Sequence, residues 1–192
     1  MNFSIIEKQL HQQGWAMVDE FWSPEHCQSL RDWGSEQSVW KKAGTGHGTS
    51  FVPNSVRGDE IVWLPETPSP KTQTTFDQLN AIRHAFNQSL WLNLTHFEAH
   101  LAHYGPGKGY ARHKDAFQKE NKRVLSAVFY LNPHWVESHG GCLRLHLPEG
   151  GLDIEPKLGR AVFFMSDEIE HEVLESHANR WSLACWFLRS HS

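Results

Sequence analysis

Residues 179–188, with the sequence NRWSLACWFL, alternate as a β-strand does and carry an arginine near the start. Strand side chains point to opposite faces in turn, which places one set on a common face: Arg180, Ser182, Ala184 and Trp186. The opposite face carries the apolar set Trp181, Leu183, Cys185 and Phe187. An arginine that points into an apolar barrel is costly unless an anion meets it. The segment therefore predicts a strand of a β barrel, with an anionic partner for Arg180.

Residues 123–131, RVLSAVFYL, form a second alternating segment. Its alternation places these side chains on a common face: Val124, Ser126, Val128 and Tyr130. Tyr130 could donate its hydroxyl to the same carboxylate as Arg180, whose planar guanidinium suits a carboxylate ligand. Two alternatives remain open here. Arg180 could form a structural salt bridge to an acidic side chain, and the Tyr130 phenol could bond to a backbone carbonyl.

The tripeptide His113-Lys114-Asp115 and the distant His171 are candidates for a metal site. If residues 110–116 are extended, His113 and Asp115 point to the same face. With His171 they would complete a facial triad of two histidines and one carboxylate, which leaves adjacent positions open for a chelating co-substrate and dioxygen. A structural zinc site would instead close all its positions. The chain has 14 histidines, so the tripeptide alone also fits two solvated loop residues.

The N-terminal part of the chain predicts helices that support the strands. Ser4 followed by Glu7 matches a capping box, and Gly14 is a typical helix stop. Residues 15–21 predict a strand. The serine and proline at residues 23–24 then predict the start of a second helix, with serine as its N-cap.

A third helix is predicted around residues 72–90, where apolar side chains recur at helical spacing: Phe76, Leu79, Ile82, Phe86 and Leu90. From Leu94 onward, short strands separated by Gly, Pro and Asn turns predominate, as a jelly roll requires. One of these strands places His100 on the same face as Tyr104. His100 could therefore approach the pocket, or be a structural or rim histidine. The whole pattern predicts a mainly β (α+β) fold, a jelly-roll core supported by N-terminal helices.

The composition fits one compact domain and lacks the excess of positive charge that is typical of a nucleic-acid-binding protein. The chain has 192 residues, enough to bury a sizeable core, and 18 Lys and Arg against 22 Asp and Glu give a net charge of −4. Cys27, Cys142 and Cys185 are widely spaced, which indicates no disulfide framework and no CxxC zinc site and favours a reducing cytoplasm. Charge interrupts the N-terminus too early for a signal peptide, and no apolar run approaches ~20 residues. We expect a cytoplasmic protein with no nucleic-acid and no membrane partner.

Several motifs occur in an order that resembles one enzyme family. They are residues 56–63 (VRGDEIVW), 104–115 (YGPGKGYARHKD), 129–132 (FYLN), 140–144 (GGCLR), 153–157 (DIEPK), 163–167 (FFMSD) and 171–173 (HEV). The series resembles the catalytic core of the Egl-nine or SM-20-like prolyl 4-hydroxylases, over roughly residues 50–188. These are 2-oxoglutarate and Fe(II)-dependent oxygenases with a double-stranded β-helix fold, a jelly-roll variant. Their animal members include the oxygen-sensing hydroxylases of hypoxia-inducible factor.

Carried over position by position, the resemblance implies roles for individual residues. The iron ligands would be His113, Asp115 and His171. The distal carboxylate of 2-oxoglutarate would be held by Arg180 and Tyr130. The rest of the co-substrate pocket would be formed by Tyr104, Leu143 and Trp186, and the substrate side by Arg57, Asp59, Tyr110, Arg123 and Trp186. Ala184 departs from the family pattern, because the animal sensors have a threonine there, so their oxygen sensing does not transfer to this chain.

The resemblance further implies a single oxygenase domain over residues 1–192. Residues 1–92 would supply helical support and a substrate-side loop, and residues 93–190 the catalytic β core. Residues 41–58 are glycine-rich and poor in apolar side chains. Their position next to Asp59 favours a lid that the substrate orders, and an ordinary mobile loop is the alternative.

The implied reaction is hydroxylation at C4 of a prolyl residue in an intracellular protein, presented in an extended or loop segment. It would use Fe(II), 2-oxoglutarate and dioxygen, with ascorbate as a candidate reductant. By analogy with bacterial members of the family, a component of the translation machinery is a candidate target. Other functions remain open: a 2-oxoglutarate oxygenase acting on a small molecule, a non-catalytic metal-binding cupin-like domain, or a ligand sensor.

Overall fold

The computed structural model describes residues 3–43, 57–116 and 122–190. The first half of the chain contains α1 (Ser4–Gln13), β1 (Trp15–Val18), α2 (Pro24–Ser35), β2 (Lys41–Lys42), β3 (Glu60–Trp63) and α3 (Gln73–Leu90). The second half contains β4 (His96–Tyr104), β5 (Lys108–His113), β6 (Arg123–Tyr130), β7 (Leu143–Leu147), β8 (Gly150–Ile154), β9 (Ala161–Met165), β10 (Glu170–Ser176) and β11 (Arg180–Leu188). A 3₁₀ turn at Glu137–His139 lies between β6 and β7.

The strands form two antiparallel sheets. The larger sheet has seven strands in the order β1-β9-β6-β11-β4-β3-β2, and the smaller has four in the order β5-β10-β7-β8. Many neighbours within a sheet are distant in the chain, such as β1 and β9, β4 and β11, and β5 and β10, as in a jelly roll. The predicted mainly β fold with N-terminal helices is therefore confirmed. The N-terminal part also adds β1, β2 and β3 to the larger sheet, so it is more than a helical support.

Apolar side chains fill both sides of the larger sheet. On one side the three helices pack against the sheet, and Leu79, Ile82 and Phe86 of α3 are fully buried there. A second cluster lies between the two sheets and contains Tyr130, Leu143, Leu145, Ile154, Val162, Phe164 and Ile169. Each fully buried aliphatic or Phe side chain contributes about 1.5–3 kcal/mol. The helical spacing predicted around residues 72–90 is confirmed, because Leu79, Ile82 and Phe86 form the buried stripe of α3, with Phe76 and Leu90 half-buried.

Two of the predicted helix boundaries are confirmed by their capping geometry. Gly14 has a left-handed backbone (φ 76°), and its N–H donates to the Leu10 carbonyl at the end of α1. Glycine adopts this conformation without the steric cost that a Cβ would add. At the start of α2, the Ser23 hydroxyl accepts a hydrogen bond of 3.2 Å from the backbone N–H of His26, with Pro24 in the first turn.

Two predictions in the same region are wrong. Phe3, rather than Ser4, is the N-cap of α1, and it makes no side-chain capping bond. The Phe3 ring packs against other aromatic rings, so apolar contact positions the start of this helix. The strand predicted over residues 15–21 ends early, at Val18, and the chain turns through Glu20, which has a positive φ of 55°.

The register of β11 against β4 and β6 arranges one face of the larger sheet in rows. Arg180 lies opposite Tyr104; Ser182 opposite Tyr130 and Ala102; Ala184 opposite Val128 and His100; Trp186 opposite Ser126 and Glu98. Directly opposed residues of an antiparallel pair project to the same side of the sheet. We call this side the inner face, because Tyr130 on it packs against the smaller sheet. The predicted alternation of β11 is confirmed, since Leu183, Cys185 and Phe187 belong to the cluster on the helix side.

The three cysteines are free thiols. Cys27 and Cys185 are buried, and burial raises the pKa of the Cys27 thiol to about 11. Burial likewise raises the pKa of Cys185 well above its usual value, so both thiols stay protonated and unreactive at neutral pH. Within the described ranges, no helix has the length and apolar character needed to cross a membrane.

Candidate active site

His113, Asp115 and His171 bring their potential ligand atoms together, all within 4.8 Å of one another. Nε2 of His113 lies 3.6 Å from one carboxylate oxygen of Asp115, and Nε2 of His171 lies 3.7 Å from the other. The two histidines are direct partners across β5 and β10, so the register of the smaller sheet sets their separation. Two imidazole nitrogens and one carboxylate are the donor set of a non-heme Fe(II) oxygenase site, and the residues present therefore fit that metal.

Asp115 reaches the site by a route that strand alternation does not describe. β5 ends at His113, and Asp115 lies in the bend that follows. The prediction of an extended segment over residues 110–116 is therefore wrong at its C-terminal end. The hydroxyl of Ser126, on β6, donates a 2.6 Å hydrogen bond to Asp115 Oδ2 and lies 2.9 Å from the Ser166 hydroxyl. A buried contact with the opposite sheet orients this carboxylate.

Both imidazoles are oriented through Nδ1. Nδ1 of His113 lies 2.8 Å from the carbonyl oxygen of Ala111, and Nδ1 of His171 lies 3.3 Å from that of Ile169. Because a carbonyl can only accept, each Nδ1 carries the proton and each Nε2 turns its lone pair toward the cluster. Burial lowers the pKa of His171 to about 4, which keeps its imidazole neutral and able to bind a metal at neutral pH.

The carboxyl group of Asp115 is buried and ionised. Burial alone would raise its pKa, but attraction to the protonated forms of the neighbouring His171 and His113 and the hydrogen bond from Ser126 hold the pKa well below its usual range. An anionic oxygen therefore faces two imidazole lone pairs in a site that is largely closed to water. This combination attracts a divalent cation.

Arg180 is a buried cation on the inner face, with only 1% of its surface exposed. Its Nε donates to the Gly141 carbonyl at 2.8 Å, and Nη1 donates to the Ser182 hydroxyl at 3.3 Å. Within the described ranges, no carboxylate lies within ion-pair distance of it. The structural salt bridge considered for Arg180 thus has no support in this part of the chain. A buried guanidinium without an anion points to an external carboxylate.

Tyr130 supplies a second unsatisfied group beside Arg180. Its hydroxyl is buried and has no hydrogen-bond partner among the described residues, so it does not bond to a backbone carbonyl there. The Arg180 guanidinium carbon lies 5.2 Å from the centre of the Tyr130 ring and 5.1 Å from that of Tyr104. Burial raises the pKa of Tyr130 to about 12, so its hydroxyl keeps its proton and can donate. Two donors therefore converge where one carboxylate could bind.

The wall around these donors is apolar and tightly fitted. Leu143 is buried and packs with Tyr130 in the cluster between the sheets. Gly141 has a positive φ of 64°, and a Cβ at this position would lie 2.9 Å from the Ser176 hydroxyl and 3.1 Å from Cδ of Arg180. Only a glycine lets the backbone carbonyl come close enough to hold the guanidinium.

A chain of contacts extends from the triad to Arg57. The Tyr110 ring stacks on His113, with 3.7 Å between ring centres and 19° between planes. The guanidinium of Arg57 lies 4.8 Å from the centre of the Tyr110 ring. Arg57 is held by Asp59 through two hydrogen bonds of 2.7 and 2.9 Å. The predicted substrate-side residues Arg57, Asp59 and Tyr110 are thus brought together next to a candidate iron ligand.

The remaining substrate-side residues gather on the inner face. Arg123 lies over the Trp186 ring at 3.8 Å and contacts Glu98 at 3.4 Å. The Trp186 ring centre is 5.1 Å from that of His100 and 6.3 Å from that of Trp63. Trp63 is 48% exposed, so this aromatic group reaches the protein surface.

The sequence did not predict the two serines that form the hydrogen bonds beside Asp115, Ser126 and Ser166. Ser126 was placed on the inward face but given no role, although a polar residue within an otherwise apolar stretch was a usable signal. Val124, predicted on the same face, instead packs against the cluster on the helix side, because the register between β6 and β11 shifts beyond Leu125. No sequence signal identified Ser166, because its contact depends on the pairing of β6 with β9.

Of the lid predicted over residues 41–58, residues 44–56 lie outside the described residues. The described ends form β2 and a bridge between Arg57 and Tyr110.

Comparisons with known proteins agree with this geometry. The family model of the 2OG-Fe(II) oxygenase superfamily matches residues 99–188, which include the triad, Tyr104, Tyr130 and Arg180. The chain is 32% identical to a Pseudomonas putida prolyl-4-hydroxylase of known structure, with a TM-score of 0.90, and the match covers 99% of this chain and 100% of that chain.

Two further comparisons extend this result. Egl nine homolog 1 of Homo sapiens is 33% identical over 195 residues, which is 93% of this chain and 44% of that protein. The chain spans about half the length of the curated Egl nine relatives that it matches. A Trichoplax adhaerens prolyl hydroxylase, solved with a peptide fragment of hypoxia inducible factor, shares the fold at 24% identity. That match has a TM-score of 0.84 and covers 96% of this chain and 88% of that chain.

Proposed function

Since the chain belongs to the Egl-nine-like prolyl 4-hydroxylase family of 2-oxoglutarate and Fe(II)-dependent oxygenases, we propose that it hydroxylates C4 of a prolyl residue in an intracellular protein. The reaction consumes 2-oxoglutarate and dioxygen, and ascorbate is a candidate reductant of the iron. Bound Fe(II) and 2-oxoglutarate supply an oxidant that inserts one oxygen atom into a C–H bond, with release of succinate and carbon dioxide. The protein supplies the ligands, the orientation and the exclusion of water.

One observation carries this proposal: a cation and a phenol without a carboxylate partner share the inner face with the residues that orient the triad. Arg180 and Tyr130 are both fully buried, and neither has an acidic partner among the described residues. Burying such groups costs free energy unless a hydrogen-bond acceptor or an opposite charge satisfies them. One carboxylate of a dicarboxylate can bind both groups, and the other end of the same molecule remains free to reach the metal site. A simple metal-binding domain has no use for this pair of donors.

These positions support the roles that we assign. His113, Asp115 and His171 hold the iron. Arg180 and Tyr130 bind the distal carboxylate of 2-oxoglutarate through charge-assisted hydrogen bonds. The co-substrate pocket is lined by Tyr104, Leu143 and Trp186. Fixing both ends of the co-substrate leaves one orientation for its reacting end, and such positioning is a large part of catalysis.

The substrate side is formed by Arg57, Asp59, Tyr110, Arg123 and Trp186. It combines two cations with aromatic rings, and the neighbouring Trp63 is half exposed. Aromatic grooves are suited to extended, proline-containing segments, whose backbone is already partly ordered. We therefore propose that the target is a protein segment laid across this rim, with its proline directed to the triad. A component of the translation machinery is a candidate for that target.

We further propose that residues 1–192 act as one oxygenase domain in the cytoplasm. The helices within residues 1–92 cover the outer side of the larger sheet, and residues 93–190 carry the triad and the carboxylate clamp. The buried free thiols agree with a reducing compartment. Neither nucleic acid nor a membrane has a role in the proposed reaction.

The test compares the proteins of matched cells with and without this enzyme by intact-mass measurement. A protein that gains one oxygen on a proline, only in cells with active enzyme, is the expected result. Purified enzyme should then hydroxylate a peptide from that protein and convert 2-oxoglutarate to succinate. The Asp115→Ala variant is the matched control, because it lacks a metal ligand and is expected to keep the fold.

Other results would redirect the proposal. Turnover of 2-oxoglutarate without any oxidised protein would indicate an oxygenase that acts on a small molecule. Metal binding without 2-oxoglutarate binding would contradict the proposal and indicate a cupin-like domain or sensor.

A further inference from the structure

His100 is a buried histidine on the inner face that the proposed reaction does not yet use. It lies on β4 with only 1% of its surface exposed. In the rows of the larger sheet, it lies directly opposite Ala184 of β11. The adjacent row toward Arg180 contains Ser182 and Tyr130, and the adjacent row in the other direction contains Ser126. His100 therefore lies between the clamp that binds the distal carboxylate and the serine that orients Asp115.

The hydrogen bonds of His100 determine which nitrogen carries its proton. Nε2 lies 3.3 Å from Nη2 of Arg57. Because a guanidinium can only donate, Nε2 must accept, and the neutral imidazole then carries its proton on Nδ1. Burial, together with the nearby Arg57 and Arg123, lowers the pKa of His100 well below its usual value, which agrees with a neutral ring.

The Nδ1–H group of His100 has no hydrogen-bond partner among the described residues. A buried donor without an acceptor is uncommon and costly in folded proteins. Among the buried polar atoms that lack a partner in the described ranges, two belong to the inner face: Oη of Tyr130 and Nδ1 of His100. The methyl side chain of Ala184, directly across from His100, contributes no polar atom that could accept this proton.

We propose that His100 is a co-substrate-positioning residue, whose Nδ1–H donates a hydrogen bond to an oxygen atom of bound 2-oxoglutarate, directly or through one water. This inference rests on the proposed function, because it requires 2-oxoglutarate in the pocket. Arg57 then has two connections with the site. It packs on the Tyr110 ring, which stacks on His113, and it fixes the tautomer of His100 by donating to Nε2.

Two substitutions separate the roles of the two ring nitrogens. The side-chain amide of Asn reaches about as far as Nδ1 of a histidine, whereas that of Gln reaches about as far as Nε2. His100→Asn therefore keeps a donor near the pocket and loses the acceptor for Arg57, and His100→Gln does the opposite. His100→Phe fills the ring volume and removes both polar atoms. His103→Gln is the matched control, because His103 lies on the same strand and faces the other side, opposite Trp181.

The measurement is the dissociation constant of 2-oxoglutarate for Mn(II)-loaded protein, by calorimetry without oxygen. We expect His100→Gln and His100→Phe to weaken binding about tenfold, equivalent to ~1.4 kcal/mol. His100→Asn and His103→Gln should stay close to wild type. Wild-type affinity in His100→Gln would overturn the inference, and weakening in His100→Asn alone would assign the effect to the lost contact with Arg57. Equal weakening in the Asn and Gln variants would also overturn it, because the effect would then come from the loss of the ring and not from its Nδ1–H group.

A second readout uses the wild-type protein and does not depend on whether the variants fold. The Nδ1–H signal of His100 in ¹⁵N-labelled, Zn(II)-loaded protein should shift and exchange more slowly with solvent when 2-oxoglutarate is added. A signal that does not change would contradict the inference. If wild-type protein binds no 2-oxoglutarate at all, the proposed function fails first, so the two failures are distinguishable.

Discussion

Ser126 donates a 2.6 Å hydrogen bond to Asp115 and thereby attaches the carboxylate of the candidate iron triad to the larger sheet. The two histidine ligands lie on the smaller sheet, His113 on β5 and His171 on β10. The metal position is therefore formed where the two sheets of the jelly roll meet. Hydrogen-bond partners of metal ligands commonly decide how well the ligands are oriented.

Ser126→Ala should lower metal affinity by about 10–100-fold, the usual effect of removing such a partner. The carboxylate of Asp115 would lose a hydrogen bond that both orients it and favours its ionised form. Titration of the apoprotein with Mn(II) provides the measurement. Ser35→Ala, an exposed site on α2, is the control. Equal metal affinity in the two variants would show that Asp115 is oriented without Ser126.

Arg180→Ala should weaken 2-oxoglutarate binding on the order of a hundredfold or more, because losing a buried charge partner commonly costs ~3–5 kcal/mol and ~1.4 kcal/mol is tenfold in affinity. Metal affinity should change far less, since Arg180 contacts none of the triad residues in the described structure. Arg144→Ala removes an arginine whose partner, Asp153, lies near the surface, and it is the control. An unchanged 2-oxoglutarate titration would contradict the role given to Arg180.

Tyr130→Phe should affect binding and stability in different ways. The lost hydroxyl has no partner among the described residues, so thermal stability without ligand should hold or rise. Affinity for 2-oxoglutarate should fall about tenfold or more, because a hydrogen bond to a charged group contributes ~1.5–3 kcal/mol. Melting temperatures with and without 2-oxoglutarate, together with calorimetry, test both parts. A destabilised apoprotein with normal affinity would mean that the hydroxyl is structural.

The double variant Arg57→Gln/Asp59→Asn should impair hydroxylation of a protein target far more than it impairs metal binding or the turnover of 2-oxoglutarate without target. The pair packs over Tyr110, next to the triad, and reaches no triad ligand directly. Arg144→Gln/Asp153→Asn neutralises a similar two-bond pair between β7 and β8 and is the matched control. Normal target hydroxylation in the first variant would place substrate recognition elsewhere.

The sequence by itself determined which side chains share a face over most of β6 and along β11. The alternation in residues 123–131 and 179–188 places Tyr130 and Arg180 on a common side, because strand side chains alternate with a period of two along a single chain segment. Helical spacing identified the buried stripe of α3 for the same reason, since the period of 3.6 residues is also a local property. The ordered motifs then indicated the enzyme family.

Only the tertiary structure decided which inward-facing residues meet. The contact of Ser126 with Asp115 requires the bend after β5 to approach β6 of the other sheet. The position of His100 opposite Ala184 requires one particular register between β4 and β11. Strand register depends on pairing between distant segments, and a shift of one residue would turn each side chain to the opposite face. A local repeat carries no information about that choice, so the partners of these side chains follow from the fold.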